Sequence, residues 1–385
     1  MNDEWLEFAK EVKKMYGKDF VSLHEPTFDN TEIRNVTDCI ETGWVSSVGK
    51  YVDQFERDLA EYTGVKRAVA VVNGTAALQI ALKIAGVQTN DEVFMPALTF
   101  IATANAATYL GAIPHFVDVS KETLGLDPIK LDEHIQTIGV MKDNQLVNKS
   151  TGRIIRAVVP MHTFGHPVDL DPLLDVCQKY NLILVEDAAE SLGSYYKGKH
   201  TGGFGRTAAL SFNGNKIITT GGGGAILTND EALADYAKHI TTTAKVPHSW
   251  EFNHDEIGYN YRMPNINAAL GCAQLQKLDG FIASKRTLTQ KYENMLMNNK
   301  DAKLYVERQN TESNYWLQTL QLKSGVNRDT VVQKLNNAGV MARPIWIPLN
   351  TLDIFQMCPS GDLSVTYKLQ NEIINIPSSP IKFSE

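Results

Sequence analysis

The sequence predicts an α/β protein: a mostly parallel, seven-stranded sheet followed by a smaller C-terminal α+β unit. Three observations lead there. From about residue 50 to 230, short β-branched runs alternate with helix-period segments, the rhythm of a sheet covered by helices on both faces. After Thr243 that rhythm stops, and a long helical stretch opens at Met263-Pro264. The 385 residues, 43% hydrophobic and 21% charged, suffice for two or three folding units with buried cores, which excludes a peptide or a single small binding module.

Taken in order, the first twenty residues space Trp5, Leu6, Phe8, Ala9, Val12 and Met15 as an amphipathic helix without the apolar core of a secretory signal. The expected strands are 68–72, 92–95, 115–119, 156–161, 182–186, 208–212 and 225–228. The helices between the earlier ones are 76–85, 102–110, 128–138 and 171–180. Residues 139–153 interrupt the spacing as a polar hairpin, and shorter glycine-rich connections separate the last three strands. Beyond them come a helix or helix pair over 263–299, an extended run at 315–322, a helix at 328–338 and a further run at 341–347. The implied domains are 25–245 and 246–385, with the helix in 1–24 packed separately or against the second.

Thirty-seven basic residues stand against 44 acidic ones, a net charge of −7 with no basic stripe, so nucleic acid is not an expected partner. No apolar run approaches the ~18–20 residues of a membrane span, so no membrane association is expected. Cys39, Cys177, Cys272 and Cys358 are scattered and form no CxxC, which reads as free thiols in a reducing cytoplasm.

Glycine clusters raise two nucleotide motifs that fail on inspection. Gly193 to Lys199 nearly matches a P-loop, but His200 replaces the hydroxyl that would hold magnesium, and no helix pattern follows. The first strand-to-helix turn is Asn73-Gly74-Thr75, not the GxGxxG of a dinucleotide fold. That turn suits a plain capped connection, and equally a phosphate seated on helix N–H groups. Glu186 and Asp187 end an apolar strand, where ligands of open α/β sheets bind; structural ion pairing is the alternative. Lys216 follows an Asn-Gly-Asn turn and precedes Ile217-Ile218, where partial desolvation makes an amine nucleophilic. With Ser211 upstream and Phe100 just past the second strand, these residues match the needs of pyridoxal 5′-phosphate: a lysine for the Schiff base, an acid on the ring nitrogen, a phosphate cradle and an aromatic ring over the face. His162 and His166 sit four apart but flank a turn glycine and lack a third ligand, so no metal site is expected.

At these residues the chain resembles the DegT/DnrJ/EryC1/StrS sugar aminotransferases. The resemblance runs through GWVSSVGKYVDQFE, VNGTAALQIAL, PALTFIATANAATYLGAIPHFVDV, VEDAAESLGS, LSFNGNKIITTGGGG, GYNYRMPNINAALGCAQL and RPIWIPL. It implies the type I, aspartate aminotransferase-like fold. Lys216 would bond the cofactor, Asp187 pair with its ring nitrogen, Phe100 stack on the ring, and Gly74, Thr75 and Ser211 hold the phosphate. Glu190 would lie near the phenolic oxygen, and Asn260 would reach the phosphate of a neighbouring subunit, implying a homodimer with shared sites. Trp44, Ser46, Lys50, Arg262, Arg343 and Trp346 are candidates for the nucleotide sugar, with surface or inter-domain packing as the alternative for each. Many relatives carry Gln at the position of Glu190 and Glu in the tract occupied here by Gly221 to Gly224. The phrases MHTFGHP and TTTAKVPH and the extra hairpin resemble the legionaminic-acid branch more than the N-acetylbacillosamine one. The implied reaction moves the amino group of L-glutamate to C4 of a UDP-linked 2-acetamido-2,6-dideoxy-4-keto-hexose, with a GDP-linked 4-keto-6-deoxy sugar as the alternative. Lysine at 216 argues against a sugar 3-dehydratase, whose relatives carry histidine there, and its presence with Asp187 argues against a non-catalytic regulator.

Overall fold

A computed structural model describes residues 4–381 of the chain. Three helices lead in: α1 (Glu4–Tyr16), α2 (Asn30–Thr42) and α3 (Lys50–Thr63). α2 starts where Asp29 accepts the N–H of Thr31 and Glu32 accepts that of Asp29, a capping box; it stops at Gly43, whose φ of 74° favours glycine.

The main sheet is then laid down through β1 (Arg67–Val71), α4 (Gly74–Ala85), β2 (Glu92–Pro96), α5 (Ile101–Thr108), β3 (Ile113–Val117) and α6 (Pro128–Ile138). A hairpin of β4 (Gly139–Lys142) and β5 (Gln145–Asn148) precedes β6 (Ile154–Val158), α7 (Leu170–Tyr180) and β7 (Ile183–Asp187). After a small hairpin of β8 (Tyr195–Tyr196) and β9 (Lys199–His200) come β10 (Thr207–Ser211) and β11 (Gly224–Thr228). Strand order is β1-β11-β10-β7-β6-β2-β3, parallel from β10 through β3, with β11 antiparallel between β10 and β1. All seven expected strands are present, shifted by a few residues. β2 is buried throughout and β7 nearly so, as expected of parallel strands covered on both faces, which is why they read as unbroken apolar runs.

The sheet has nine strands rather than seven. The polar hairpin is part of it, β5 pairing antiparallel with β6 through Leu146 opposite Ile155. Its outer strand exposes Val140, Met141 and Lys142, while Leu146 and Asn148 of the inner strand are buried. Only one short strand therefore carries an alternating signal.

α8 (Glu231–Thr241) and the pair α9 (Asn265–Leu275) and α10 (Leu278–Leu296) lead to a second sheet. It is built from β12 (Ala302–Leu304), then, after a short β13 (Thr311–Glu312), β14 (Gln318–Leu322), α11 (Arg328–Asn337), β15 (Arg343–Pro344), α12 (Ser364–Glu372) and β16 (Ile373–Ile376), in the order β12-β14-β16-β15. Trp5, Phe8, Ala9 and Val12 of α1 share one core with Leu288, Tyr292, Leu335 and Ile374, so the N-terminal helix packs against this C-terminal unit. β13 pairs with β8, tying the two parts together. Among the described residues no helix is long and apolar enough to cross a membrane.

β1, β2, β7 and β10 all point their C-terminal ends to one edge of the sheet, and the turns after them converge there.

Candidate active site

At that edge lies a cavity of about 970 Å³. Its floor begins at the turn from β1 to α4. Asn73 caps α4 by accepting the N–H of Ala76, and the amides of Gly74 and Thr75 open the helix at its positive end. Ser211, the last residue of β10, lies so close that a Cβ on Gly74 would stand 2.7 Å from its Cβ and 2.9 Å from its Oγ. Glycine is required there by approach, not by backbone angle.

Asp187 ends β7 and is almost wholly buried. Its carboxylate accepts the Thr103 hydroxyl at 2.7 Å and the Ala189 amide at 3.2 Å; among the described residues no cationic side chain comes within salt-bridge distance of it. Burial pushes its pKa up, against the opposing pull of Thr103, the Ala189 amide and the Lys216 charge.

Lys216 follows β10 and reaches back into the cavity. Its Nζ stands 3.3 Å from Glu190 Oε1 and 3.9 Å from the centre of the Trp316 ring. The Trp316 indole N–H donates to the Asn215 carbonyl at 2.7 Å, fixing the turn that bears the lysine. Glu190 is buried, accepts the Phe164 amide at 2.9 Å, and has its pKa pushed up to about 7, chiefly by burial. Phe164 adopts a left-handed conformation, φ 55°, unusual for a bulky residue. That geometry sends its N–H to Glu190 while its ring packs 4.9 Å from Trp346 and 6.3 Å from Trp316. Phe100, half exposed at the start of α5, meets Trp346 at 6.5 Å. His162 donates from Nε2 to the buried Glu186 and accepts the Val168 amide at Nδ1, so it braces the loop that carries Phe164. Among the described residues no group of three or more His, Cys, Asp or Glu side chains gathers to hold a metal.

Nine of the residues singled out from the sequence line this one cavity: Gly74, Thr75, Phe100, Asp187, Glu190, Ser211, Lys216, Arg343 and Trp346. Five do not. Asn260 bridges to Thr242, and the Arg262 guanidinium donates to the Ser47 carbonyl. Lys50 pairs with Asp38 at 2.9 Å, while Trp44 and Ser46 give their carbonyls to Asn265 at the start of α9. The sequence reading missed Thr103, Phe164, Trp316 and His24. Phe164 alone had a local signal, its place in the HTFGH turn.

The family profile of the DegT/DnrJ/EryC1/StrS aminotransferases matches residues 26–382. EpsN of Bacillus subtilis, named as a pyridoxal phosphate-dependent aminotransferase, is 38% identical over 343 residues, 89% of this chain and 84% of that protein. GDP-perosamine synthase of Caulobacter vibrioides is 36% identical over 362 residues, 93% of each chain. The crystal structure of DesI with its TDP-sugar product superposes with a TM-score of 0.82 at 26% identity, covering 94% of this chain and 90% of that one.

The chain belongs to the DegT/DnrJ/EryC1/StrS aminotransferase family. It is a pyridoxal phosphate-dependent aminotransferase with the fold of that family. The cavity fits the cofactor: a phosphate seat kept open by the missing Cβ of Gly74, a buried carboxylate without a cation of its own, and an amine beside both.

Proposed function

We propose that the protein moves the amino group of L-glutamate onto C4 of a 4-keto-6-deoxy hexose carried on GDP, using one cavity for both half-reactions. The observation that carries this reading is the convergence of Lys216, Asp187 and the Gly74–Ser211 seat in a cavity near the top of the ~300–1,000 Å³ range of ligand sites. GDP as carrier is supported by the GDP-perosamine synthase matched along nearly its whole length.

Bound pyridoxal phosphate supplies a sink for the electron pair left at the amino-bearing carbon and a temporary seat for the amino group. Lys216 is the amine that would hold the cofactor through its aldehyde, and, freed, would take a proton from the amino-bearing carbon of the donor and deliver one to C4 of the sugar. The Trp316 face and Glu190 hold it in the cavity between those duties. Asp187, a buried carboxylate without a cationic partner among the described residues, would pair with the ring nitrogen and favour its protonated form. The amides of Gly74 and Thr75 and the Ser211 hydroxyl take the phosphate at the positive end of α4. Phe100 would cover the ring, and Glu190 would stand by its phenolic oxygen, both lining the cavity.

A homodimer is part of this reading. Asn260, outside its own chain's cavity, serves the phosphate bound by a second copy, and Trp44, Ser46, Lys50 and Arg262 serve the nucleotide there. Arg343 and Trp346 meet the sugar nucleotide within the chain's own cavity.

The test is product formation from L-glutamate and either a GDP-linked 4-keto-6-deoxy hexose or the UDP-linked 2-acetamido-4-keto sugar. Amino-sugar product from the GDP substrate is expected. Preference for the UDP substrate returns the assignment to the N-acetylated sugar, and product from neither overturns the reading.

A further inference from the structure

Thr103 lies in the first turn of α5, its amide donating to the carbonyl of Phe100 at 3.1 Å. Threonines inside helices commonly bond back to the preceding turn, as Thr108 of α5 does with the Ala104 carbonyl at 2.9 Å. Thr103 instead sends its hydroxyl out of the helix to Asp187 Oδ2, 2.7 Å away at the end of β7. An ionised carboxylate only accepts, so the single hydroxyl proton is committed to it.

The other carboxylate oxygen, Oδ1, takes the Ala189 amide at the longer distance of 3.2 Å. These two donors fix the plane of a carboxylate that lines the cavity. Solvent offers no substitute for the first of them. Thr99 Oγ1 stands 3.0 Å from Thr103 Oγ1 and 2.8 Å from Met161 Sδ, and Thr99, Thr103 and Met161 are all buried. Burial favours the neutral form of Asp187, and the Thr103 hydroxyl is the largest of the influences that favour its charge, ahead of the Ala189 amide and Lys216.

A carboxylate paired with a pyridine nitrogen shares one proton with it. Donors to the carboxylate stabilise its charge and leave the proton on the nitrogen, whereas a carboxyl stripped of them takes the proton for itself. We propose that Thr103 is a positioning residue of the amino-transfer site, its hydroxyl holding the Asp187 carboxylate ionised and oriented so that the shared proton stays on the cofactor's ring nitrogen. Thr103 acts through Asp187 alone, and the inference rests on the role given to that carboxylate above.

The test is magnetic resonance on enzyme loaded with pyridoxal phosphate isotopically labelled at the ring nitrogen, whose chemical shift reports whether that nitrogen carries a proton. Thr103→Val removes the hydroxyl at equal bulk, Thr103→Ala removes it with less, and Thr103→Ser keeps it. In Thr103→Val and Thr103→Ala the signal should move toward the unprotonated value. Amino transfer from saturating L-glutamate should slow about tenfold or more in both, the scale of a lost hydrogen bond to a charged group. Thr103→Ser should return the signal and most of the rate. A signal unmoved in the two hydroxyl-free variants means that the Ala189 amide suffices, and the inference falls alone. Equal changes in all three variants make Thr103 a packing residue and also overturn it. An unprotonated ring nitrogen in the wild type removes Asp187 from its role and takes the inference with it. Wild-type enzyme inert to L-glutamate overturns the functional reading, while the nitrogen signal still decides the role of Thr103.

Discussion

The carboxyl of Glu190 gives the sharpest check on the electrostatics of the site. Its pKa moves from 4.5 to about 7, with burial as the main cause and the Lys216 charge and Phe164 amide pulling the other way. A raised carboxyl pKa means that the folded chain holds the proton more tightly than the unfolded chain. The stabilising contribution is therefore fully present below pH 4.5, is lost as pH rises through 7, and levels off above that. At 1.36 kcal/mol per pH unit the whole interval is worth about 3 kcal/mol, of which about 2 kcal/mol falls between pH 5.5 and 8. Glu190→Gln retains an acceptor for the Phe164 amide and cannot titrate. Urea unfolding of the cofactor-free proteins at several pH values should show the variant gaining about 2 kcal/mol on the wild type from pH 5.5 to 8. Every other titrating side chain is common to the two proteins, so the difference isolates this group. Stability curves that run parallel across that interval would refute the argument that burial holds a proton on Glu190.

Two further outcomes bear on the cofactor site. Gly74→Ala puts a methyl group 2.7 Å from Ser211 Cβ, so turn and strand must separate; a cost of roughly 1–3 kcal/mol in stability is expected, with weaker pyridoxal phosphate binding in an absorbance titration. Wild-type affinity in that variant contradicts the phosphate seat. Lys216→Ala should lose both the yellow colour of the bound cofactor and all amino transfer while its circular dichroism is unchanged, and a variant that turns over at the wild-type rate removes Lys216 from the mechanism.

What could be read ahead of the structure follows from where each signal resides. Parallel strands such as β2 and β7 are buried on both faces, so their apolar runs announce themselves locally. β4, with three of its four residues exposed, carries no such run, and its place in the sheet depends on pairing with β5. The residues proposed for the cofactor that line the cavity could be picked out for a related reason. Gly74, Thr75, Phe100, Asp187 and Ser211 stand at the end of a strand or the start of a helix, with Glu190 and Lys216 in the turns that follow, and such positions are punctuated by Gly, Ser, Asp and Asn in the sequence itself. The rest of the wall had no punctuation to read. Trp316 precedes a strand of the second sheet, His24 lies in an N-terminal extended segment, and Arg343 and Asn375 are register partners on β15 and β16. These residues meet in space only because the N-terminal segment pairs with residues near 340 and 378. The residues proposed for the cofactor thus sit on motifs, whereas the rest of the cavity wall is assembled by long-range pairing. Glu190 belongs to both groups, since its motif names it but only the fold buries it, and burial raises its pKa against the pull of the Phe164 amide and the Lys216 amine.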